Sequence, residues 1–174
     1  MISPSGKRNF EIIRETRVAV ALLSLVVGGA TAQPTPTPLL APVAHACISS
    51  PFGMRRAPGP HAIGFHNGID LPAPAGGPVV AVAAGRVIGI HRRGPGGLEV
   101  LIQHNGFVAV YAHLGRVTPA LATGRTRIAA GEQIGVVGHT GVTYGMHLFF
   151  GVLVGGRAVD PAPFLALKRC GPRK

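Results

Sequence analysis

The sequence predicts an all-β domain, built as a small antiparallel sandwich or half-open barrel, on the strength of three observations. Short runs of valine, isoleucine and other β-forming residues follow one another, separated by turn residues. The 174 residues include 26 glycines and 16 prolines, and beyond residue 48 no stretch has the apolar period of a long helix. Asn105-Gly106 lies between two alternating runs, which is the strongest short-range signal of a β-hairpin. An all-β architecture follows from these features.

The predicted elements share a simple composition. Each strand candidate is rich in β-branched residues and is bounded by glycine, proline or asparagine, which is typical of strands joined by tight turns. The only helix candidate, residues 161–170, is one or two turns long. The strand candidates are residues 78–90 with a break at Gly85, 98–103, 107–114, 132–138 and 147–154.

The start of the chain has the features of an export signal. Basic residues precede the apolar run 18–30, which is too short to span a bilayer comfortably. Residues 30–32, "ATA", have the small-residue pattern of a cleavage site. We therefore predict a signal peptide over residues 1–32 and an exported protein, located in the periplasm, in the cell envelope or outside the cell, with no stable membrane span after cleavage. A retained N-terminal anchor is the alternative.

The rest of the chain divides into a linker, a domain and a tail. Residues 33–47 are rich in proline and predict an extended tether. Residues 48–168 form the predicted domain, and 169–174 a basic tail. Cys47 and Cys170, the only cysteines, bracket the domain. In an oxidising compartment they predict one disulfide, with two free thiols as the alternative.

The charge of the chain restricts its partners. After residue 32 the chain has 13 Lys and Arg residues against 4 Asp and Glu, a net charge of +9. For an exported protein this favours anionic envelope polymers or lipid head groups, or is simply the charge of a solvated surface. No motif that combines aromatic and basic residues indicates a nucleic-acid partner.

Strand alternation predicts which side chains share a face. His147 and Phe149 should lie on one face of their strand, opposite Leu148 and Phe150. In the strand before it, two sets should point in opposite directions, and His113 should share a groove with His147. The first set is Phe107, Ala109, Tyr111 and His113, and the second is Val108, Val110, Ala112 and Leu114.

His66 and Asp70 form a candidate metal pair. Glycine and proline around them exclude a helix, and on a straight strand they would lie about 13 Å apart. A bend at Asn67-Gly68 would bring them together. An imidazole and a carboxylate are suitable Zn²⁺ ligands, although a surface histidine and a turn aspartate would have the same spacing.

Six motifs, which include this pair, occur in an order that is typical of a protein family. The motifs "SSPFGMRRAP", "HNGIDLPAPAGGPVVAVAAGRV", "YAHL", "IAAGEQIGVVGHTG", "GMHLFF" and "VDP" span roughly residues 49–165. Together they resemble the lysostaphin/LytM-type zinc metallopeptidases. The resemblance implies a small antiparallel β-sheet groove and, in active members, cleavage of the peptide cross-links of peptidoglycan.

The resemblance also implies roles for individual residues. His66 and Asp70 match zinc ligands, and His147 and His113 match histidines that assist catalysis. Phe149 stands at the position of the third zinc ligand and cannot coordinate a metal. Gly151 stands where the family often has glutamate. One of the three zinc ligands is therefore lost, while four of five functional positions are kept.

Catalytic zinc typically takes three protein ligands and leaves a fourth position for water, so the loss makes zinc binding doubtful. His139 or His61 could substitute, or His147 could change from helper to ligand. The alternative is that His61, His91, His104 and His139 are exposed loop residues.

Two functions remain open at this point, and whether the chain is an enzyme is uncertain. The first is a non-catalytic module that binds peptidoglycan peptides or regulates a cell-wall hydrolase. The second is an active zinc metalloendopeptidase with a substitute ligand. A purely structural envelope protein would have no reason to keep His66, Asp70, His113 and His147 together.

Overall fold

The structure, a computed structural model, describes residues 39–55, 64–92 and 94–171. Twelve strands and two short helices occur within these ranges, which confirms the all-β prediction. The strands are β1 (Gly53–Met54), β2 (Phe65–His66), β3 (Ile69–Pro72), β4 (Pro78–Val80), β5 (Gly85–Arg92), β6 (Leu98–Gln103), β7 (Val108–Ala112), β8 (Leu114–Val117), β9 (Arg127–Ile128), β10 (Gln133–Val137), β11 (His147–Val154) and β12 (Arg157–Val159); the helices are α1 (Pro119–Ala122) and α2 (Ala162–Leu165).

The described strands pair antiparallel in three sheets. The largest has seven strands, in the order β12-β11-β7-β6-β5-β9, with β3 also paired to β11. A second sheet has the order β4-β10-β8, and β1 pairs with β2. The predicted hairpin joins β6 to β7, where Gln103 pairs with Val108 and the His104 N–H donates to the Phe107 carbonyl at 2.8 Å. The hairpin prediction is therefore confirmed.

Side chains from both larger sheets form one buried core. Tyr111 on β7 and Phe150 on β11 are fully buried, and their ring centroids lie 5.3 Å apart in an edge-on contact. The Tyr111 hydroxyl accepts a hydrogen bond from the Val82 N–H at 3.0 Å, so its polar atom is satisfied inside the core. Burial of one such large side chain stabilises the fold by about 1.5–3 kcal/mol.

The predicted alternation is correct for β11. Leu148 and Phe150 are fully buried, whereas His147 and Phe149 on the other face are only partly buried. This strand therefore separates a core face from a groove face.

His113 lines the groove together with His147 as predicted, but the prediction that it shares a face with Tyr111 is wrong. Tyr111 points into the core, while Ala112 pairs with Phe149 and so lies on the groove side. His113 has φ 62°, in the left-handed region that side chains other than glycine rarely adopt. This residue interrupts the chain between β7 and β8, so simple alternation does not continue through it.

The helix content is small and was only partly predicted. The candidate 161–170 forms α2, which ends at Leu165, and Ala166 follows with φ 51°. The Asp160 carboxylate accepts a hydrogen bond from the Ala162 N–H at 2.9 Å. Helix α1 was not predicted, although proline at its first position is a known start signal.

The packed domain is wider than the predicted 48–168. Within the predicted linker 33–47, the described residues contact the core: Val43 is 4% exposed, and the Leu40 N–H donates to the Val82 carbonyl at 2.9 Å. At the other end, Arg169 of the predicted tail forms a bridge with Ile48. The predicted signal peptide, residues 1–32, lies outside the described residues. Within the described ranges, no helix is long and apolar enough to cross a membrane.

The predicted disulfide is confirmed. Cys47 and Cys170 are bonded across 123 residues of sequence. Two backbone hydrogen bonds hold the same ends together, from the Ile48 N–H to the Lys168 carbonyl at 2.9 Å and from the Cys170 N–H to the Ile48 carbonyl at 3.0 Å. The bond therefore joins two segments that are already adjacent.

His104 is not the exposed loop residue that the sequence suggested. It is 5% exposed, its Nδ1 lies 2.9 Å from the Ala84 carbonyl oxygen, and its ring stacks on Phe107 with centroids 4.8 Å apart. Its Nε2 is buried and has no hydrogen-bond partner. His91 is exposed but lies on β5, and His139 is exposed in a loop.

Burial of His104 should make stability depend on pH. Burial lowers the pKa of His104 from 6.5, against the opposing effect of the Ala84 carbonyl. The unfolded chain then binds more protons, so the free energy of unfolding should fall as pH decreases below about 6.5, by at most about 1.4 kcal/mol per pH unit.

Urea unfolding of wild type and His104→Phe between about pH 7 and pH 5 checks this expectation. The phenylalanine variant keeps the stacked ring but cannot titrate, so its stability should fall less over this range. Equal pH dependence of the two proteins would contradict the assignment to His104.

Candidate functional site

One groove collects the residues that the sequence singled out. It has a volume of about 1150 Å³ and is lined by residues from both ends of the described chain. Among them are all five positions matched to the family: His66, Asp70, His113, His147 and Phe149. The predicted cleft is therefore present.

A tight bend brings His66 and Asp70 together. Asn67 and Gly68 connect β2 to β3, and a Cβ atom on Gly68 would lie 2.5 Å from the Phe150 carbonyl oxygen. Only glycine allows this close approach of the two backbones. As a result His66 Nε2 lies 3.1 Å from Asp70 Oδ1, so the predicted convergence is confirmed.

Asp70 is the centre of the polar contacts. Its Oδ1 is 3.1 Å from His66 Nε2 and 3.3 Å from His147 Nε2, and its Oδ2 is 3.2 Å from Arg55 Nη1. Burial raises the pKa of the Asp70 carboxyl, but the hydrogen bonds and charges of His147 and His66 outweigh it and hold the pKa below its usual range. Asp70 is therefore a carboxylate.

Backbone carbonyls orient the three groove histidines. In each, the Nδ1 atom lies within hydrogen-bond distance of a carbonyl oxygen, which requires the hydrogen on Nδ1. The Nε2 atoms of His66 and His147 then face Asp70 Oδ1. The pairs are His66 with Pro51 at 2.9 Å, His113 with Thr140 at 2.8 Å and His147 with Gly145 at 2.9 Å.

His113 lies next to His147 and is 7% exposed. The two ring centroids are 4.9 Å apart. Burial lowers the pKa of His113 more than its hydrogen bond to the Thr140 carbonyl raises it. This favours a neutral imidazole beside the groove floor.

Phe149 fills the space at the position that the motif resemblance matches to a third zinc ligand. Its ring centroid is 5.4 Å from that of His66 and 6.2 Å from that of His113. A Cβ atom on Gly68 would lie 2.6 Å from Phe149 Cζ, and one on Gly151 would lie 3.2 Å from Cε1. The ring is thus seated between two glycines, and a side chain at residue 151 would have to displace it.

The side chains of this groove do not fit a three-ligand zinc site. Of the three positions that the resemblance matches to zinc ligands, His66 and Asp70 supply two donors, and Phe149 places an apolar ring at the third. In the described part of the chain, no three His, Cys, Asp or Glu side chains form a group that could hold a metal ion. His139 is exposed and does not line the groove, so it does not complete the set. His61 lies outside the described residues.

Two charged groove residues were not assigned a role from sequence. Arg55 belongs to the quoted motif "SSPFGMRRAP", and its contact with Asp70 depends on the fold. Glu99 is the second residue of β6, and the sequence predicted only a strand there. Since both are 15 or more residues from Asp70 in sequence, spacing alone could not place them beside the histidines.

Comparison with known proteins identifies the family. The sequence profile of peptidase family M23 matches residues 64–161, more than half of the chain. The chain belongs to peptidase family M23. The resemblance in the six motifs and the groove fold that it implied are therefore confirmed.

Individual M23 proteins show the extent of the likeness. The chain is 40% identical over 121 residues to the DD-carboxypeptidase/endopeptidase Mpg of Neisseria meningitidis serogroup B, covering 69% of this chain and 27% of Mpg. A zinc containing peptidase from Vibrio cholerae is 30% identical with a TM-score of 0.61, over 78% of this chain and 41% of that one. The catalytic domain of lysostaphin from Staphylococcus simulans is 25% identical with a TM-score of 0.61, over 70% and 92%.

The chain spans about a quarter of the length of Mpg. It therefore shares one domain with a longer protein, and the activity of the whole relative is not transferred by this likeness alone.

Proposed function

We propose that this exported M23 domain binds the peptide part of peptidoglycan in its groove without cutting it. The observation that carries the proposal is the ring of Phe149, which occupies the third ligand position and is seated on Gly68 and Gly151. Catalytic zinc requires three protein ligands and an open fourth position. A groove that lacks one ligand can keep its shape and its hydrogen-bonding groups while losing the metal.

The substrate class is supported by the relatives. Mpg is a DD-carboxypeptidase/endopeptidase, and ShyA of Vibrio cholerae, 35% identical over 115 residues, is a peptidoglycan DD-endopeptidase. The net charge of +9 beyond residue 32 favours an anionic polymer as the larger ligand. A role in the regulation of a cell-wall hydrolase is consistent with binding without cleavage, and export from the cytoplasm is part of the proposal.

One observation favours a second candidate, a zinc endopeptidase that uses a substitute ligand. His66 Nε2 and His147 Nε2 both approach Asp70 Oδ1, at 3.1 and 3.3 Å. A shift of His147 toward a cation would add a third ligand but would remove one of the two histidines matched to catalysis. The two candidates differ in whether bound peptide is cleaved when zinc is present.

The test is binding and digestion of purified muropeptides by the full chain, with added zinc and with chelator. We expect binding that is equal in both conditions and no cleavage products. Val142→Asp should weaken binding, because Val142 lines the groove and is 38% exposed. Val154→Asp is the matched control, since Val154 is 42% exposed and does not line the groove.

Zinc-dependent cleavage by wild type would favour the second candidate instead. Absence of binding, or equal loss of binding in both aspartate variants, would contradict a peptide-binding groove.

A further inference from the structure

Glu99 is placed in the groove but has no part in the polar cluster around Asp70. It lines the groove together with Gly96 and His113, and the His113 N–H donates to the Gly96 carbonyl at 2.9 Å. The Glu99 carboxyl group packs against Gly96, where a Cβ atom would meet its Oε1. The carboxyl group therefore lies next to the segment that bonds to His113.

The other described acidic residues are committed to structural contacts. Asp70 contacts Arg55 and two histidines, Glu132 forms an ion pair with Arg125, and Asp160 accepts from a backbone N–H in α2. The only ion-pairing partner of Glu99 among the described residues is His91, at 3.9 Å. Burial raises the pKa of the Glu99 carboxyl, and His91 opposes this effect. A cation in the groove would relieve that cost of burial.

Strand register sets the distance between Glu99 and the Asp70 cluster. Asp70 pairs with Phe149, and Phe149 pairs with Ala112. Because Val100 pairs with Tyr111 in the antiparallel β6–β7 ladder, one further step places Glu99 opposite Ala112. Three strand spacings of about 4.8 Å put the Cα atoms of Asp70 and Glu99 about 14 Å apart, with small Ala112 between Phe149 and Glu99.

We propose that Glu99 determines specificity by binding a primary ammonium group on the peptide in the groove. The proposal rests on the proposed function, since it assumes that a peptide lies there. An extended chain advances about 3.3–3.6 Å per residue, so a peptide crossing the strands reaches from the Asp70 cluster to Glu99 with about four residues. The ligand class is therefore a short peptide with a free amino group about four residues from the part held near Asp70.

The test compares two ligands and three proteins. The ligands are uncross-linked muropeptides with free amino groups and the same preparation after acetylation. The proteins are wild type, Glu99→Gln and Glu132→Gln. The last variant is the matched control, since it removes the same charge from a residue that lies outside the groove.

Calorimetric titration should show that wild type loses about tenfold to a hundredfold in affinity when the ligand is acetylated, as expected for a hydrogen bond between charged groups. Glu99→Gln should show the same loss with the free-amine ligand and little further loss on acetylation. Glu132→Gln should behave as wild type. Because acetylation changes only the ligand, wild type alone measures the contribution of the amine, and Glu99→Gln assigns that contribution to Glu99.

Two results would overturn the proposal, and they have different consequences for the proposed function. If wild type binds the free and acetylated ligands equally, Glu99 does not recognise an amine, while the peptide-binding groove stands. If wild type binds neither ligand, the groove does not bind wall peptides, and the proposed function falls together with this inference.

Discussion

Phe149→His is expected to raise the affinity of the groove for zinc by more than about a hundredfold. Loss of a group that only orients a ligand typically costs about 10–100-fold, and a direct ligand should count for more. The imidazole ring is smaller than the phenyl ring that Gly68 and Gly151 already accommodate, so the backbone should tolerate it. The new side chain would stand on the groove face with His66 and Asp70 and complete a set of three ligands.

Zinc titration of wild type, Phe149→Ala and Phe149→His measures this effect. Phe149→Ala is the control, because it opens the same space without adding a donor and should leave zinc affinity unchanged. Slow digestion of cross-linked muropeptides by the histidine variant would follow. The rate would be limited because Gly151 stands where the family often has glutamate. Tight zinc binding by wild type would show that a substitute ligand exists and that the non-catalytic hypothesis is wrong.

Cys47→Ser combined with Cys170→Ser should lower the free energy of unfolding by up to about 4–5 kcal/mol. The bond closes 123 residues of chain, and the entropy of the unfolded chain rises when so long a loop is released. Since backbone hydrogen bonds already hold Ile48 against Lys168 and Cys170, the native fold itself should persist near neutral pH.

Urea unfolding of wild type with and without reductant, beside the double serine variant, checks the magnitude. Reduced wild type and the variant should unfold at the same, lower urea concentration. An unchanged midpoint after complete reduction would mean that the link contributes nothing to stability.

Several features could be predicted from sequence because they depend on local pattern or on residue identity. The hairpin at Asn105-Gly106 follows from turn chemistry, and the two faces of β11 follow from strand alternation. The disulfide followed from the cysteine count and from the tendency of domain ends to lie close together. The mismatch at residue 149 was visible because Phe149 occupies a motif position.

Other features could not be predicted because they depend on a single unusual backbone conformation or on contacts between distant segments. The left-handed conformation of His113 ended the alternation on which the placement of Tyr111 relied. His104 is buried because Ala84 and Phe107 close over it, and nothing in "QHNGF" distinguishes that position from an exposed turn.

From sequence alone, the resemblance to the family, the all-β class and the mismatch of Phe149 with a motif position could be predicted, because each is a matter of residue type and order. The folded chain was needed to show that Arg55 holds one oxygen of Asp70 while two histidines face the other. It was also needed to place Glu99 across the groove floor, three strands away. Such neighbours arise from the antiparallel pairing of β3, β11, β7 and β6. Strand pairing brings together residues that are far apart in sequence, so their proximity cannot be read from sequence spacing.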